Sequence, residues 1–393
     1  MPARKSLAKP VGPLGVWSVE ANDLRLAALA PDVLKARVDG LAPSGSFRRD
    51  VQSFYQATGL TPHPLVLPFH PDEEDPTTNA DVGTQGHPPI VYDLRDIEQL
   101  SLRNWRLDDG SLRAIVFALP RCEAIHTLTL FNVQLPSAHL DALCAVIPDT
   151  HVAQLAIDWN VSQPIAATDK SEETRVPPPA ALTSLLLSAR LRVLSLRANG
   201  LSAAHADAIA QGLRANTTLE SLNLYQNPLG DDGVAAIAYV LPFNTTLKAL
   251  SLGETQLSGR GARLLVDVLT KYAAPASLLQ ELQAAEPRIQ AEIDLAKKAK
   301  KKIDRHTAIL NLGLPVLETI DGVQYAPGNR TLLDLVLSGN DAVSPADVLA
   351  MSDTLERHRS DASHLRRIKL QRVPHLQSAV HQAPHKLSEL FQF

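Results

Sequence analysis

"LRVLSLRANGLSAAHADAIAQGLRANTTLESLNLYQNPLG", residues 191–230, states one pattern twice. Leu191, Leu194, Leu196, Asn199 and Leu201 recur as Leu219, Leu222, Leu224, Asn227 and Leu229, each 28 residues further on. Around Leu194–Leu196 and Leu222–Leu224 apolar residues alternate, which marks a short strand with one buried face. The period then changes. Ala206, Ile209, Ala210 and Leu213, and after them Val234, Ile237, Ala238 and Leu241, make apolar helical stripes. Strand and helix in a fixed register predict a stack of parallel strands with helices outside.

The register extends in both directions. "LKALSLGETQL" begins at Leu247, again 28 residues on, and "VAQLAIDWN", "IHTLTLFNVQL" and "IEQLSLRNWRL" begin at Val152, Ile125 and Ile97. A seventh unit, "LLDLVLSGNDA", starts at Leu332. After each strand the chain turns, and Asn199, Asn227 and Asn340 are suited to satisfy the turn's buried backbone groups through their amides. The first two repeats carry Trp105 and Val133 at that position, with Asn104 and Asn132 one residue earlier, and the sixth has Thr255. Distorted turns are expected there. The tripeptides Asn216-Thr217-Thr218, Asn244-Thr245-Thr246 and Asn329-Arg330-Thr331 read as helix exits before the next strand.

Residues 97–257 and 332–355 resemble leucine-rich repeats of the ribonuclease-inhibitor type, in which a unit of roughly 28 residues pairs a strand with a full α-helix. The resemblance implies an α/β leucine-rich-repeat solenoid, a horseshoe with parallel strands on the concave face and α-helices on the convex face, plus a long helical insertion. Ribonuclease inhibitors themselves are cysteine-rich, and this chain is not. No single repeat buries its own core, so the ends need covers and the breaks in register are informative. The chain divides into a non-repeat N-terminal cap or linker (1–90), repeats 1–6 (91–272) with a polar, proline-rich loop insertion at about 161–180, a lysine-rich helical insertion (273–327), the last repeat (328–358), and a C-terminal cap or tail (359–393). The insertion is rich in Ala, Leu, Gln, Glu and Lys, which predicts a long helix broken or kinked near Pro287, followed by a hairpin-like return through "LETIDGVQYAPGN".

Composition narrows the function. The 393 residues are 45% hydrophobic and 20% charged with a formal net charge of −4, so no global field points to nucleic acid or an anionic membrane. Cys122 and Cys144 are too few for a disulfide framework, and neither a signal peptide nor a stretch long enough for a membrane helix is present. These features predict a cytoplasmic or nuclear protein, or one attached to an internal structure, for which the sequons at Asn160, Asn216, Asn244 and Asn329 are coincidental. Phosphate-binding loops, the nucleophile elbow and the H-E-x-x-H pair are absent from the sequence. His375, His381 and His385 lack a Cys or acidic partner at ligand spacing, so no metal, cofactor or catalytic residue is expected.

The remaining surface is the exposed sheet face. The position after the third leucine-type residue of each repeat holds Arg103, Phe131, Asp158, Arg197, Tyr225, Gly253 and Ser338, with Trp159 beside Asp158. Arginines and large aromatics anchor interfaces, which makes Arg103, Phe131, Asp158, Trp159, Arg197 and Tyr225 the candidate partner-binding residues. Lys297, Lys298, Lys300, Lys301 and Lys302 project all round a helix and form a solvated charged rod, with an acidic partner as the alternative contact. The expected function is a non-enzymatic protein-interaction scaffold or adaptor. Its non-repeat N-terminus and lysine-rich interruption resemble those of repeat proteins of cilia and flagella, which implies a cytoskeletal setting and tubulin or axonemal partners. A second reading, from resemblance to Ran GTPase-activating proteins, is a regulator of a small GTPase, although those proteins end in acidic tails and this chain carries Arg366, Arg367, Lys369 and Arg372. Innate-immune receptors of this fold add a nucleotide-binding domain, for which residues 1–90 are too short.

Overall fold

The computed structural model describes residues 11–12, 15–70, 91–160, 179–373, 376 and 390–393. They belong to two compact units, Met1–Asn199 and Gly200–Phe393. Most of the polar stretch at about 161–180, and His375, His381 and His385, lie outside the described residues.

The first unit opens with the short antiparallel pair β1 (Val11–Gly12) and β2 (Gly15–Val16) and three helices, α1 (Val19–Ala27), α2 (Pro31–Asp39) and α3 (Phe47–Thr58). Ser18 caps α1 by accepting from the Ala21 amide, Pro31 sets the first turn of α2, and Gly59 closes α3 in the left-handed region. The apolar stripe of α3, Phe47, Val51, Phe54 and Tyr55, is buried. Repeats follow as β3 (Gln99–Arg103), α4 (Asp109–Ala118), β4 (Thr127–Phe131), α5 (Ser137–Val146), β5 (Gln154–Asp158), α6 (Pro179–Leu186) and β6 (Val193–Ser195). The four repeat strands are parallel and in register, with Leu100, Leu128, Leu155 and Leu194 in one row. All four leucines are buried. At about 25 cal/mol per Å² of apolar surface, each such row contributes several kcal/mol.

Helices α1 and α3 pack against α4, so the N-terminal helices cover the first repeat. One carboxylate fastens them. Asp108, buried at the N-cap of α4, accepts from Ser111 N (2.9 Å) and Ser111 Oγ (2.5 Å), Asn22 Nδ2 (3.2 Å) and Trp17 Nε1 (3.2 Å). Burial pushes its pKa up despite the hydrogen bonds from Ser111, Asn22 and Trp17.

The second unit contains α7 (Ala203–Ala215), β7 (Ser221–Asn223), α8 (Gly230–Val240), β8 (Ala249–Ser251) and α9 (Gly259–Asp267). The insertion follows as β9 (Tyr272–Ala273), α10 (Ala276–Lys298), α11 (Arg305–Asn311), β10 (Glu318–Ile320) and β11 (Val323–Ala326). Repeat geometry resumes with β12 (Asp334–Val336), α12 (Pro345–Arg357), β13 (Arg367–Lys369) and β14 (Phe391–Gln392). Strands β7, β8, β12, β13 and β14 are parallel, and Leu222, Leu250, Leu335, Ile368 and Phe391 form their buried row. The insertion therefore leaves the strand stack continuous. Strand β13 also reveals a further unit, "LRRIKLQRV" from Leu365, in a segment the sequence reading leaves as cap or tail.

The turns after the repeat strands β3–β8, β12 and β13 use the same backbone device. Asn104, Asn132, Trp159 and Ala198 in the first unit, and Gln226, Glu254, Gly339 and Arg372 in the second, all have positive φ. The first two turns are thus not distorted, contrary to expectation. The left-handed residue swings the next side chain inward. In the first unit Asn160 Oδ1 accepts from Val133 N (3.1 Å) and Asn199 Oδ1 from Asn160 N (3.1 Å). In the second, Asn227 Oδ1 accepts from Leu201 N (3.1 Å) and Asn340 Oδ1 from Thr255 N (2.9 Å). Thr255 substitutes for asparagine by donating its hydroxyl to Leu252 O (2.7 Å).

A second asparagine ladder marks the helix exits. Asn216, Asn244 and Asn329 accept from Leu219, Leu247 and Leu332 N (2.7, 2.8 and 2.8 Å), while Asn244 and Asn329 Nδ2 donate to Leu213 O (2.8 Å) and Leu241 O (2.6 Å) of the preceding turn. All four sequon asparagines are therefore buried and hydrogen-bonded, which leaves no amide free for a glycan in this fold.

Candidate functional site

Strand alternation sends Leu100, Leu102, Leu128 and Leu130 into the core and Ser101, Arg103, Thr129 and Phe131 to the open face of the first unit's sheet. Small residues flank the column, so its long side chains lie over one another. The Arg103 guanidinium sits 5.7 Å from the Phe131 ring centroid, with Nε donating to Ser101 Oγ (3.2 Å). The Phe131 and Trp159 rings are 6.3 Å apart and tilted by 42°. Trp159 is 37% exposed, and its left-handed backbone turns the indole outward. Cation, ring and ring form one stripe, each contact worth about 0.5–1.5 kcal/mol.

Asp158 is a correction. Its side chain is buried at 8% exposure, where Oδ1 accepts from Ser195 Oγ (2.8 Å) and Arg197 N (2.9 Å). It braces the neighbouring turn instead of projecting freely from the open face. Arg197 is half-buried, and its carbonyl accepts from Trp159 N (2.8 Å), so it too helps to hold the stripe.

Tyr225 lies in the second unit, where sequence reasoning missed its partners. The phenol donates to Glu254 Oε1, and Arg372 Nη2 donates to the phenol oxygen and to Glu254 Oε1 (2.6 Å). Burial, then Glu254, push the Tyr225 pKa up, while the Arg372 pKa is raised chiefly by Tyr225. Gly253 makes room for the ring, since a Cβ there would stand 2.8 Å from Tyr225 Cδ2 and 2.9 Å from Ser338 O. Ser338 is itself buried. The signal for Arg372 was available: it occupies the turn position of the unit that begins at Leu365, as Glu254 does in its own.

The lysines are also corrected. Helix α10 runs as one span with Pro287 inside it and ends at Lys298, so Lys300, Lys301 and Lys302 lie beyond the helix and do not ring it. Of these lysines, Lys297 alone forms an ion pair among the described residues, with Asp294 at 3.2 Å.

Among the described residues, no group of three or more His, Cys, Asp and Glu is placed to hold a metal, and no helix is long and apolar enough to cross a membrane. Cys122 and Cys144 are free and buried; burial and the nearby Asp141 push the Cys144 thiol up to about 12, away from thiolate reactivity.

Residues 215–238 and 243–266 match the leucine-rich-repeat family model, so the chain contains leucine-rich repeats on a mixed α/β fold with parallel strands. Such repeats are typically non-enzymatic modules that bind protein partners. No curated protein matches the chain. A solved structure of the leiomodin-1 actin-binding site 2 matches at 15% identity over 52% of this chain and 83% of that one, with a TM-score of 0.25.

Proposed function

We propose that the protein is a non-enzymatic scaffold or adaptor that binds a protein partner through the Arg103–Phe131–Trp159 stripe. The observation that carries this reading is the stripe itself. Three large side chains, two of them exposed, are stacked on one sheet face, and the indole N–H of Trp159 has no hydrogen-bond partner among the described residues. Preorganised aromatic and arginine side chains are the usual centres of binding energy, because little side-chain freedom is left to lose. The resemblance in sequence supports a cytoskeletal setting, a cilium or flagellum, with tubulin or an axonemal protein as the partner.

The test is microtubule co-sedimentation of the full chain beside the Arg103→Ala/Phe131→Ala/Trp159→Ala variant, with circular dichroism to confirm folding. Sedimentation of the wild type with at least a tenfold weaker affinity of the variant is expected, since truncating hot-spot residues costs about 2 kcal/mol or more. Equal sedimentation of both proteins removes the stripe from the interface. Acceleration of GTP hydrolysis by a small GTPase, lost in the variant, replaces the scaffold by the GTPase-regulating reading.

A further inference from the structure

We propose that the lysine turn at the end of α10 is a second, independent docking site, and that it takes a flexible acidic polypeptide segment. The turn belongs to an ordered insertion. Glu281, near the start of α10, accepts from Arg214 and from Tyr239 Oη (3.0 Å), which fixes the helix to the repeats of its own unit. Ala285 and Ile289 pack with Ala308, Ile309 and Leu314. Arg305 meets Glu286 (2.5 Å) and Asn311 meets Glu292 (3.0 Å), so the chain doubles back after Lys298 and α11 runs alongside α10 in the same direction. With a rise of about 1.5 Å per residue, roughly 18 Å of helix separates Glu286 from Lys298. Lys297 and Lys298 close α10, and Lys300, Lys301 and Lys302 begin the return toward Arg305.

Their backbone is fixed, at a cost. Lys300 N donates to Lys297 O (3.0 Å) and Lys301 N to Ala296 O (2.9 Å), the paired closure of a helix end whose next residue is left-handed. That residue is Lys300, with φ of 58°, where glycine is the unstrained choice. Lys298, Lys300, Lys301 and Lys302 are exposed and make no contact-distance ion pair with a carboxylate among the described residues, although Lys298 acts at longer range on Asp294, in a chain of net charge −4. The helix dipole accounts for Lys297 and Lys298 only. Like charges crowded on a strained turn oppose folding, and an external anion is what turns the arrangement to advantage.

Chemistry selects the anion. Ammonium groups are point charges without the fork geometry of arginine, so they accept carboxylates at variable spacing. No aromatic residue stands between Leu295 and Arg305 to stack a base. Asp294 and Asp304 flank the cluster in sequence and oppose a broad anionic bilayer more than a single extended chain.

The probe is a fluorescently labelled ten-residue glutamate peptide, titrated by anisotropy with the full chain at low and high salt. Binding at low salt is expected, weakened about tenfold or more by Lys298→Gln/Lys300→Gln/Lys301→Gln/Lys302→Gln, and largely retained by the matching arginine variant. The stripe variant Arg103→Ala/Phe131→Ala/Trp159→Ala should bind the peptide as the wild type does, which separates this site from the one proposed above. Equal binding by the glutamine variant with unchanged circular dichroism overturns the proposal. So does a wild-type preference for phosphatidylserine vesicles or for oligothymidine over the peptide.

Discussion

Replacing Asn160 by alanine should unfasten the turn that presents Trp159. The Asn160 side chain is fully buried; its Oδ1 accepts from Val133 N (3.1 Å), and its Nδ2 donates to Leu130 O and Asp158 O (both 3.1 Å). Asp158 O keeps a second donor, the Asn132 amide at 2.9 Å, and remains satisfied. The Val133 amide has no other acceptor among the described residues and becomes an orphan in the core. A buried unsatisfied donor costs about 1–3 kcal/mol and the lost bond to Leu130 about 0.5–1.5 kcal/mol, so a destabilisation of about 2–4 kcal/mol is expected. All three tryptophans, Trp17, Trp105 and Trp159, lie in the first unit, so urea unfolding followed by their fluorescence reports that unit alone. Hydrogen exchange at Val133 supplies the local reading and should accelerate more than exchange at Leu128. A loss under about 1 kcal/mol, with Val133 exchange unchanged, would refute the ladder as the element that holds the turn.

Three further outcomes follow from the geometry. His63 is buried between Trp17 and Trp105, its Nδ1 accepts from Leu65 N (3.1 Å), and burial lowers its pKa to about 3. Between pH 6.5 and about 3 the unfolded chain binds a proton that the folded one does not, so stability falls as pH falls, by up to about 1.4 kcal/mol per unit; His63→Gln should flatten this slope in urea melts at pH 7 and pH 5, and an unchanged slope assigns it elsewhere. Gly253→Ala should destabilise the second unit by about 1–3 kcal/mol, because the new methyl meets the Tyr225 ring and the Ser338 carbonyl, and a double-mutant cycle with Tyr225→Ala should return part of that loss. Lys300→Gly should raise the melting temperature, by the equivalent of about 1 kcal/mol, because it relieves the left-handed strain; a fall would mean that the lysine side chain stabilises the fold.

The strand rows and helix stripes were legible because they depend on local periodicity. Leu194, Leu222 and Leu250 announce their burial by spacing alone. Whatever depends on a neighbour distant in sequence was not. The unit at Leu365 escaped notice because it follows Leu332 by 33 residues and uses Ile368 and Val373 where leucine and asparagine would identify it. Asp158 resembles any exposed column residue until Ser195, 37 positions later, is seen to bond it. Asp108 shows no sequence signal beyond that of an ordinary N-cap, yet it joins Trp17 and Asn22 to the first repeat. The end of α10 went unread because no glycine or proline marks it, and a lysine takes the left-handed position.

Sheet geometry places a residue on the open face, but the residues one repeat away decide whether it is available. Phe131 has Arg103 on one side and Trp159 on the other, and neither contact consumes a hydrogen-bonding group that a partner would need. Tyr225 occupies the equivalent position, but its hydroxyl is engaged by Glu254 and Arg372, so a partner must first displace an internal charge pair. The two residues should therefore behave differently although their repeats are built alike. Tyr225→Phe should leave partner affinity within about twofold, and Phe131→Ala should weaken it at least tenfold, as expected for a hot-spot aromatic. The reverse ranking would locate the interface on the second unit and make Glu254 and Arg372 its charged contacts.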